Sequence, residues 1–103
     1  MNTFEFQVII SPEAKDDIVD VFNYIAFEIK HPLTAVRYRE GIIETIDQLA
    51  SYADLFAVSS NEYLRRHYGE GVRTIIYKKM TIVYNIIGDI AYIRRVMASS
   101  LIQ

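Results

Sequence analysis

Apolar and polar positions alternate from the first residues of the chain. Between Thr3 and Ile10, Phe4, Phe6, Val8 and Ile10 point one way and Glu5, Gln7 and Ile9 the other, which predicts a half-buried strand. The period changes at Ser11-Pro12-Glu13. Ser11 suits a helix N-cap, Pro12 suits the first helical position, and Glu13, Asp16 and Asp17 suit the positive end of the helix dipole. Ala14, Ile18, Val21, Phe22, Ile25 and Ile29 then recur at helical spacing, so a helix is expected from about Pro12 to Lys30. His31-Pro32 breaks it. A second stripe of Ala35, Tyr38, Ile42, Ile46, Leu49 and Ala53 follows at once, and so short a connection makes the two helices antiparallel neighbours. Gly41 is expected where these helices approach closely.

Leu55–Gly71 shows no clear period and reads as loop, with Ser59-Ser60-Asn61 and a turn at Gly69-Glu70-Gly71. Three β-rich runs come next: Val72–Lys78, Met80–Ile87 and Ile90–Met97. Gly88-Asp89 is a hairpin signal, and Lys78-Lys79 is a turn without glycine. The tail Ala98–Gln103 stays unassigned. Helices in one block and strands in another predict an α+β fold: an N-terminal strand, a helical hairpin and a three-stranded antiparallel meander, with one sheet covered on one face. At 103 residues the chain is expected to be one domain, 1–103.

Charge sharpens this picture. The net charge of −2 hides a division of the chain. Residues 1–54 hold Lys15, Lys30, Arg37 and Arg39 against ten acids; residues 55–103 hold Arg65, Arg66, Arg73, Lys78, Lys79, Arg94 and Arg95 against Glu62, Glu70 and Asp89. The strand half is therefore basic, as a face that meets an anionic partner would be. The chain has no cysteine, which excludes a disulfide framework and thiolate chemistry. No apolar run approaches the ~20 residues of a membrane span, and the N-terminus lacks the basic start of a signal peptide, so a cytoplasmic protein without a membrane partner is expected.

Motifs for nucleotide or metal chemistry are missing: no Walker A loop, no dinucleotide-binding glycine fingerprint, no HExxH and no Cys/His ligand spacing. The two histidines, His31 and His67, fall in different loops. Any enzyme here is expected to work without metal or other cofactor.

Several segments together carry a family resemblance. Ser11-Pro12-Glu13-Ala14-Lys15-Asp16-Asp17-Ile18 opens the first helix, with Tyr24-Ile25 three turns on. Gly71-Val72-Arg73 opens the second strand, Thr81-Ile82-Val83-Tyr84-Asn85-Ile86 forms the third, and Tyr92-Ile93-Arg94-Arg95-Val96-Met97 forms the last. In this order and spacing the chain resembles the RelE/ParE family of bacterial type II toxins over nearly all of residues 3–98. The resemblance implies a growth-inhibiting toxin, of the kind that stabilises plasmids, held in a hetero-oligomer by a cognate antitoxin from the same operon. It also implies that the antitoxin's C-terminal segment wraps the toxin by helix-in-groove and strand-addition contacts. Ile9, Ile75, Val83 and Ile87 are the apolar residues expected on the less covered sheet face.

Two targets follow from the resemblance. RelE-like members cut messenger RNA on the ribosome; ParE-like members bind DNA gyrase and trap its complex with cleaved DNA. A metal-free RNase needs clustered cations and a proton donor or acceptor at the scissile phosphate. Here Arg73, Arg95, Lys78 and His67 are the available candidates, and no catalytic set can be assigned from them. Where the RNase members usually carry an Arg before the third-strand Leu-Val-Tyr run, this chain has Thr81. Where they often carry His-Gly-Arg after the last strand, it has Ala98-Ser99-Ser100. A sequence pI near 5.6 also departs from the strong basicity expected of a ribosome binder. The ParE-like reading, without catalysis of its own, is therefore favoured. The RNase and a non-toxic antitoxin-binding relative remain as alternatives.

For target or antitoxin contact the candidates are Arg73, Arg95, Lys78, Lys79, Arg65 and Arg66. Arg73 is equally explained by a structural ion pair with an acid of the helical hairpin. Arg94 and Arg95 are adjacent on a strand and are expected on opposite faces, with Arg95 on the open one.

Overall fold

The computed structural model describes residues 5–102. Strand β1 (Gln7–Ile10) leads into helix α1 (Pro12–Asn23), which continues as a π-helical turn over Tyr24–Glu28. Helix α2 (Pro32–Asp47), the short α3 (Leu49–Tyr52) with a 3-10 turn at Ala53–Leu55, and α4 (Glu62–Tyr68) follow. Strands β2 (Arg73–Tyr77), β3 (Met80–Ile87) and β4 (Ile90–Ala98) and a last 3-10 turn, Ser99–Leu101, complete the chain. No helix of the described residues is long and apolar enough to cross a membrane.

The meander forms as the sequence predicts, and β1 pairs parallel to β4, giving the mixed order β1-β4-β3-β2. Pairing of β1 starts only at Gln7, because β4 begins opposite it at Ile90. Phe6 lies just before the strand, buried to 5% exposure, and its N–H donates to Ala50 O. Thr3 and Phe4 of the expected strand lie outside the described residues.

Helix α1 starts as read. Ser11 Oγ accepts from the Ala14 N–H at 3.0 Å and donates to Arg94 O at 2.9 Å, so the cap also ties the helix to β4. Its end differs from the expected Lys30. After Asn23 the ladder widens, with the Ile29 N–H donating to Tyr24 O, and Lys30 closes the helix at φ 66°. The wider turn rotates the apolar stripe. Ala26 becomes the buried residue, while Ile29 is left 46% exposed.

Phe6, Ala14, Ile18, Ile42, Ile46, Leu49, Ile75, Ile82, Tyr84, Ile93 and Val96 form the main core between the helices and the sheet. Leu49 and Ala53 stay on the α2 stripe although α2 itself stops at Asp47. Gly41 does not serve a helix–helix approach. A Cβ there would meet the ring of Tyr77 from β2, which packs edge-on against Tyr38 at 5.3 Å.

The segment read as loop contains α4. Asn61 Oδ1 accepts from the Leu64 N–H at 2.9 Å, and Gly69 ends the helix at φ 99°. Leu64 packs with Val72 and Val83 in a second, smaller core on the opposite face of the sheet. The sheet is therefore covered in part on both faces. Val83 is buried by α4 and Ile75 belongs to the main core. The apolar residues that stay exposed on strands are Ile9, Ile76 and Ile87, at 36%, 56% and 58%.

Candidate functional site

The basic side chains of the strand half occupy three separate places. Arg73 pairs in register with Tyr84, whose side chain enters the main core. Arg73 Nη1 donates to Phe56 O at 2.6 Å and to Asp54 O at 3.2 Å. The expected ion pair with the helical hairpin is replaced by two main-chain carbonyls after α3. Beside it, Tyr84 Oη donates to Ala53 O at 2.6 Å. Burial of this fully enclosed phenol pushes its pKa up to about 12, partly offset by the nearby Arg73 charge.

Arg95 lies two strands away, on β4. Its Nε and Nη2 donate to the two carboxylate oxygens of Asp17 at 2.7 and 2.9 Å. Asp17 also accepts the Val96 N–H at 2.8 Å. The Asp17 hydrogen bonds hold the Arg95 guanidinium protonated well above the ordinary arginine range. The expected alternation of Arg94 and Arg95 fails for a clear reason. Val83 faces Arg95 and Tyr84 faces Ile93, so Arg94 is the extra residue of a β-bulge. Arg94 consequently stacks over the Tyr68 ring of α4 at 5.3 Å. Arg95 is thus tied to α1 and is no free cation on an open face.

The third place is α4 and the hairpin tip. Arg65 pairs with Glu70 at 2.8 Å on the surface. Arg66 and His67 are exposed, and the His67 ring lies 4.2 Å from that of Tyr63. His67 Nδ1 is 2.9 Å from Tyr63 O. Lys78 and Lys79 are exposed in the β2–β3 turn, with Lys78 at φ 52° and its Nζ 5.7 Å from the Tyr77 ring.

Arg73, Arg95, Lys78 and His67 therefore each have other partners, and no hydrogen bond, ion pair or ring contact joins any two of them among the described residues. Thr81 is 5% exposed, and its hydroxyl lies 2.7 Å from Ser99 Oγ, so this neutral position is satisfied by another hydroxyl. Among the described residues no group of three His, Asp or Glu could hold a metal ion.

Two surface depressions flank these residues. A groove of about 310 Å³ runs between α1 and the end of β4, lined by Asp17, Val21, Tyr24, Met97 and Leu101. A cleft of about 520 Å³ lies beside α4, lined by Glu62, Tyr63, Arg66, His67 and Leu101. Sequence reasoning missed Arg94, Tyr68 and Asn85 here. Asn85 donates to Tyr68 O at 2.9 Å and accepts from Arg94 at 3.0 Å, joining β3, β4 and α4. The usable signal was Asn61-Glu62 followed by Gly69, a cap and a stop around one short helix.

The sequence matches the family model of the ParE toxin of the type II toxin–antitoxin system, parDE, over residues 8–100. A solved structure described as the chromosomal ParDE TA system from P. aeruginosa superposes with a TM-score of 0.76 at 18% identity, covering 92% of this chain and 97% of that one. At that identity the likeness is one of fold. No curated protein matches the sequence.

Proposed function

The chain belongs to the ParE toxin family of type II toxin–antitoxin systems, and we propose that it arrests growth by binding DNA gyrase until a cognate antitoxin neutralises it. The observation that carries this reading is the dispersal of the RNase candidates. Attack of a ribose 2′-OH on phosphate needs donors and a proton carrier converging on one atom. Arg73 is spent on carbonyls, Arg95 on Asp17, and Lys78 and His67 lie on separate elements. Each missing donor of this kind costs roughly 10²–10³ in rate. Action by binding needs no such convergence.

The antitoxin reading is supported by surfaces that want cover. Ile9, Ile76 and Ile87 are exposed, and β2 is an edge strand with, among the described residues, only the Val58–Arg73 bridge beyond it. The groove beside α1 offers a seat for an apolar helix face. The matched ParDE system is named as a toxin–antitoxin system, which fits the same partner class. Residues 1–103 act as a single domain in this reading, and the cytoplasm, where gyrase and ribosomes work, is its place of action.

The test is a map of RNA 5′ ends in arrested cells, minutes after the chain is induced without antitoxin. Arrest with no new ends supports action by binding. New ends clustered at one codon position would establish ribosome-dependent cleavage instead.

A further inference from the structure

Helix α4 and the adjoining part of β4 carry a run of flat side chains that the gyrase reading does not use. Arg94 lies 5.3 Å from the Tyr68 ring and 5.7 Å from the Tyr92 ring. Tyr68 is followed by His67 at 6.1 Å, and His67 by Tyr63 at 4.2 Å. The β-bulge at Arg94 and the short helix α4 create this arrangement together. At its far end Tyr63 and His67 wall the 520 Å³ cleft with Arg66, Glu62 and Leu101. That volume falls in the ~300–1,000 Å³ range of small-ligand clefts.

Two of the four arginines along this run are committed to ion pairs. Arg65 is paired with Glu70 and Arg95 with Asp17. Arg66 has no ion pair among the described residues, and Arg94 shares its guanidinium with the neutral Asn85. This surface therefore offers one guanidinium without an ion-pair or hydrogen-bond partner among the described residues, Arg66, a second held only by neutral groups, Arg94, and four ring systems. An acidic peptide would be met by charge alone and gains little from the rings. Unpaired bases gain from both, because each has a π-face to stack and a phosphate to pair. A duplex keeps its bases stacked on each other and cannot use the rings.

We propose that the α4 cleft, continued by Arg94 between Tyr68 and Tyr92, binds an unpaired nucleic-acid segment. Bases stack on the Tyr63–His67 pair and on the tyrosines flanking Arg94, and Arg66 and Arg94 meet the phosphates. Glu62, at the cleft wall, accepts from a base amino group. This binding is independent of gyrase and includes no cleavage.

The test measures fluorescence anisotropy of labelled strands of about ten nucleotides, a length within the usual ~4–16-nucleotide site. Oligo-dT, oligo-U, a duplex of the same length and a poly-Glu peptide are titrated with the full-length chain at ~50 and ~200 mM salt. The single strands are expected to bind about tenfold or more tighter than the duplex or the peptide. Tyr63→Ala and His67→Ala are each expected to weaken single-strand binding roughly tenfold, while Tyr63→Phe retains it. Arg66→Gln should flatten the salt dependence by about 0.7 in log–log slope. A preference for oligo-U would mark RNA as the source, and parity or preference for oligo-dT would mark DNA. Equal binding of the duplex, poly-Glu binding that responds to the same substitutions, or undiminished binding by folded Tyr63→Ala and His67→Ala would each overturn the proposal.

Discussion

Asp17 grips Arg95 with both carboxylate oxygens and, through one of them, the Val96 N–H as well. This contact lies where β1 has already ended. Ile10 is the last residue of β1 paired to β4, opposite Ile93, so β4 beyond it has no strand neighbour on that side among the described residues. Helix α1 takes over the edge instead. Ser11 Oγ donates to Arg94 O, and Asp17 accepts from Val96 N. An edge that would otherwise invite another strand is thereby closed by side chains of α1.

Replacing Asp17 should therefore destabilise the fold more than a surface acid would. Asp17→Ala is expected to cost about 2 kcal/mol, because hydrogen bonds to charged groups are lost and the Val96 N–H is orphaned. Its side chain is 12% exposed, against 37% for Arg95, so solvent replaces the arginine's bonds more readily than the amide's. Urea unfolding of Asp17→Ala and Arg95→Ala measures both, and a neutral Asp17→Ala would contradict this role.

Tyr84 makes stability pH-dependent at the alkaline end. In the fold it releases its proton at about 12, against about 10 in the unfolded chain. Between these values the unfolded state binds fewer protons, so stability falls as pH rises. The loss approaches 2–3 kcal/mol, at about 1.4 kcal/mol per tenfold change. Tyr84→Phe should be less stable near neutrality by about 1 kcal/mol, since Ala53 O loses its donor. It should also lose less stability between pH 9 and pH 11 or so. Urea midpoints of both proteins across that range are the check.

Gly41 and Tyr77 should behave as one unit. Gly41→Ala drives a methyl into the Tyr77 ring, an overpacking expected to cost about 1–3 kcal/mol against a helix-propensity gain of at most about 1. In a Tyr77→Ala background the same change should be neutral or stabilising. A double-mutant cycle by denaturation reads the coupling, and simple additivity would refute the contact.

Arg73 is expected to be structural. Arg73→Ala orphans two carbonyl groups at the end of the helical layer and should cost about 1–2 kcal/mol. Antitoxin binding by the folded variant should persist. Calorimetry of the variant with its antitoxin would expose the opposite case, intact stability with lost binding.

Much of this architecture was legible because local signals and the tertiary answer agree. The Ser11-Pro12 start, the apolar stripe of α2 and the Gly88-Asp89 hairpin each declare themselves within a few residues. What escaped depends on register or on distant partners. One inserted residue in the π-helical turn moved burial from Ile29 to Ala26. One bulge residue, Arg94, cancelled the alternation that placed it opposite Arg95. The role of Gly41 is hidden because nothing nearby in sequence announces Tyr77 above it. Helix α4 is too short to show a period, and its Asn cap and Gly stop are residues equally at home in loops. The candidate cations were visible as residue types, but the carbonyls and the carboxylate that occupy Arg73 and Arg95 lie 17 to 78 residues away.

The central claim is tested most directly on gyrase itself. Purified enzyme is incubated with supercoiled plasmid, ATP and the full-length chain, then denatured and protease-treated to reveal trapped breaks. Accumulation of linear DNA that rises with the chain's concentration and disappears when the cognate antitoxin is added is the predicted result. Unchanged supercoiling and no linear DNA at saturating chain would contradict it.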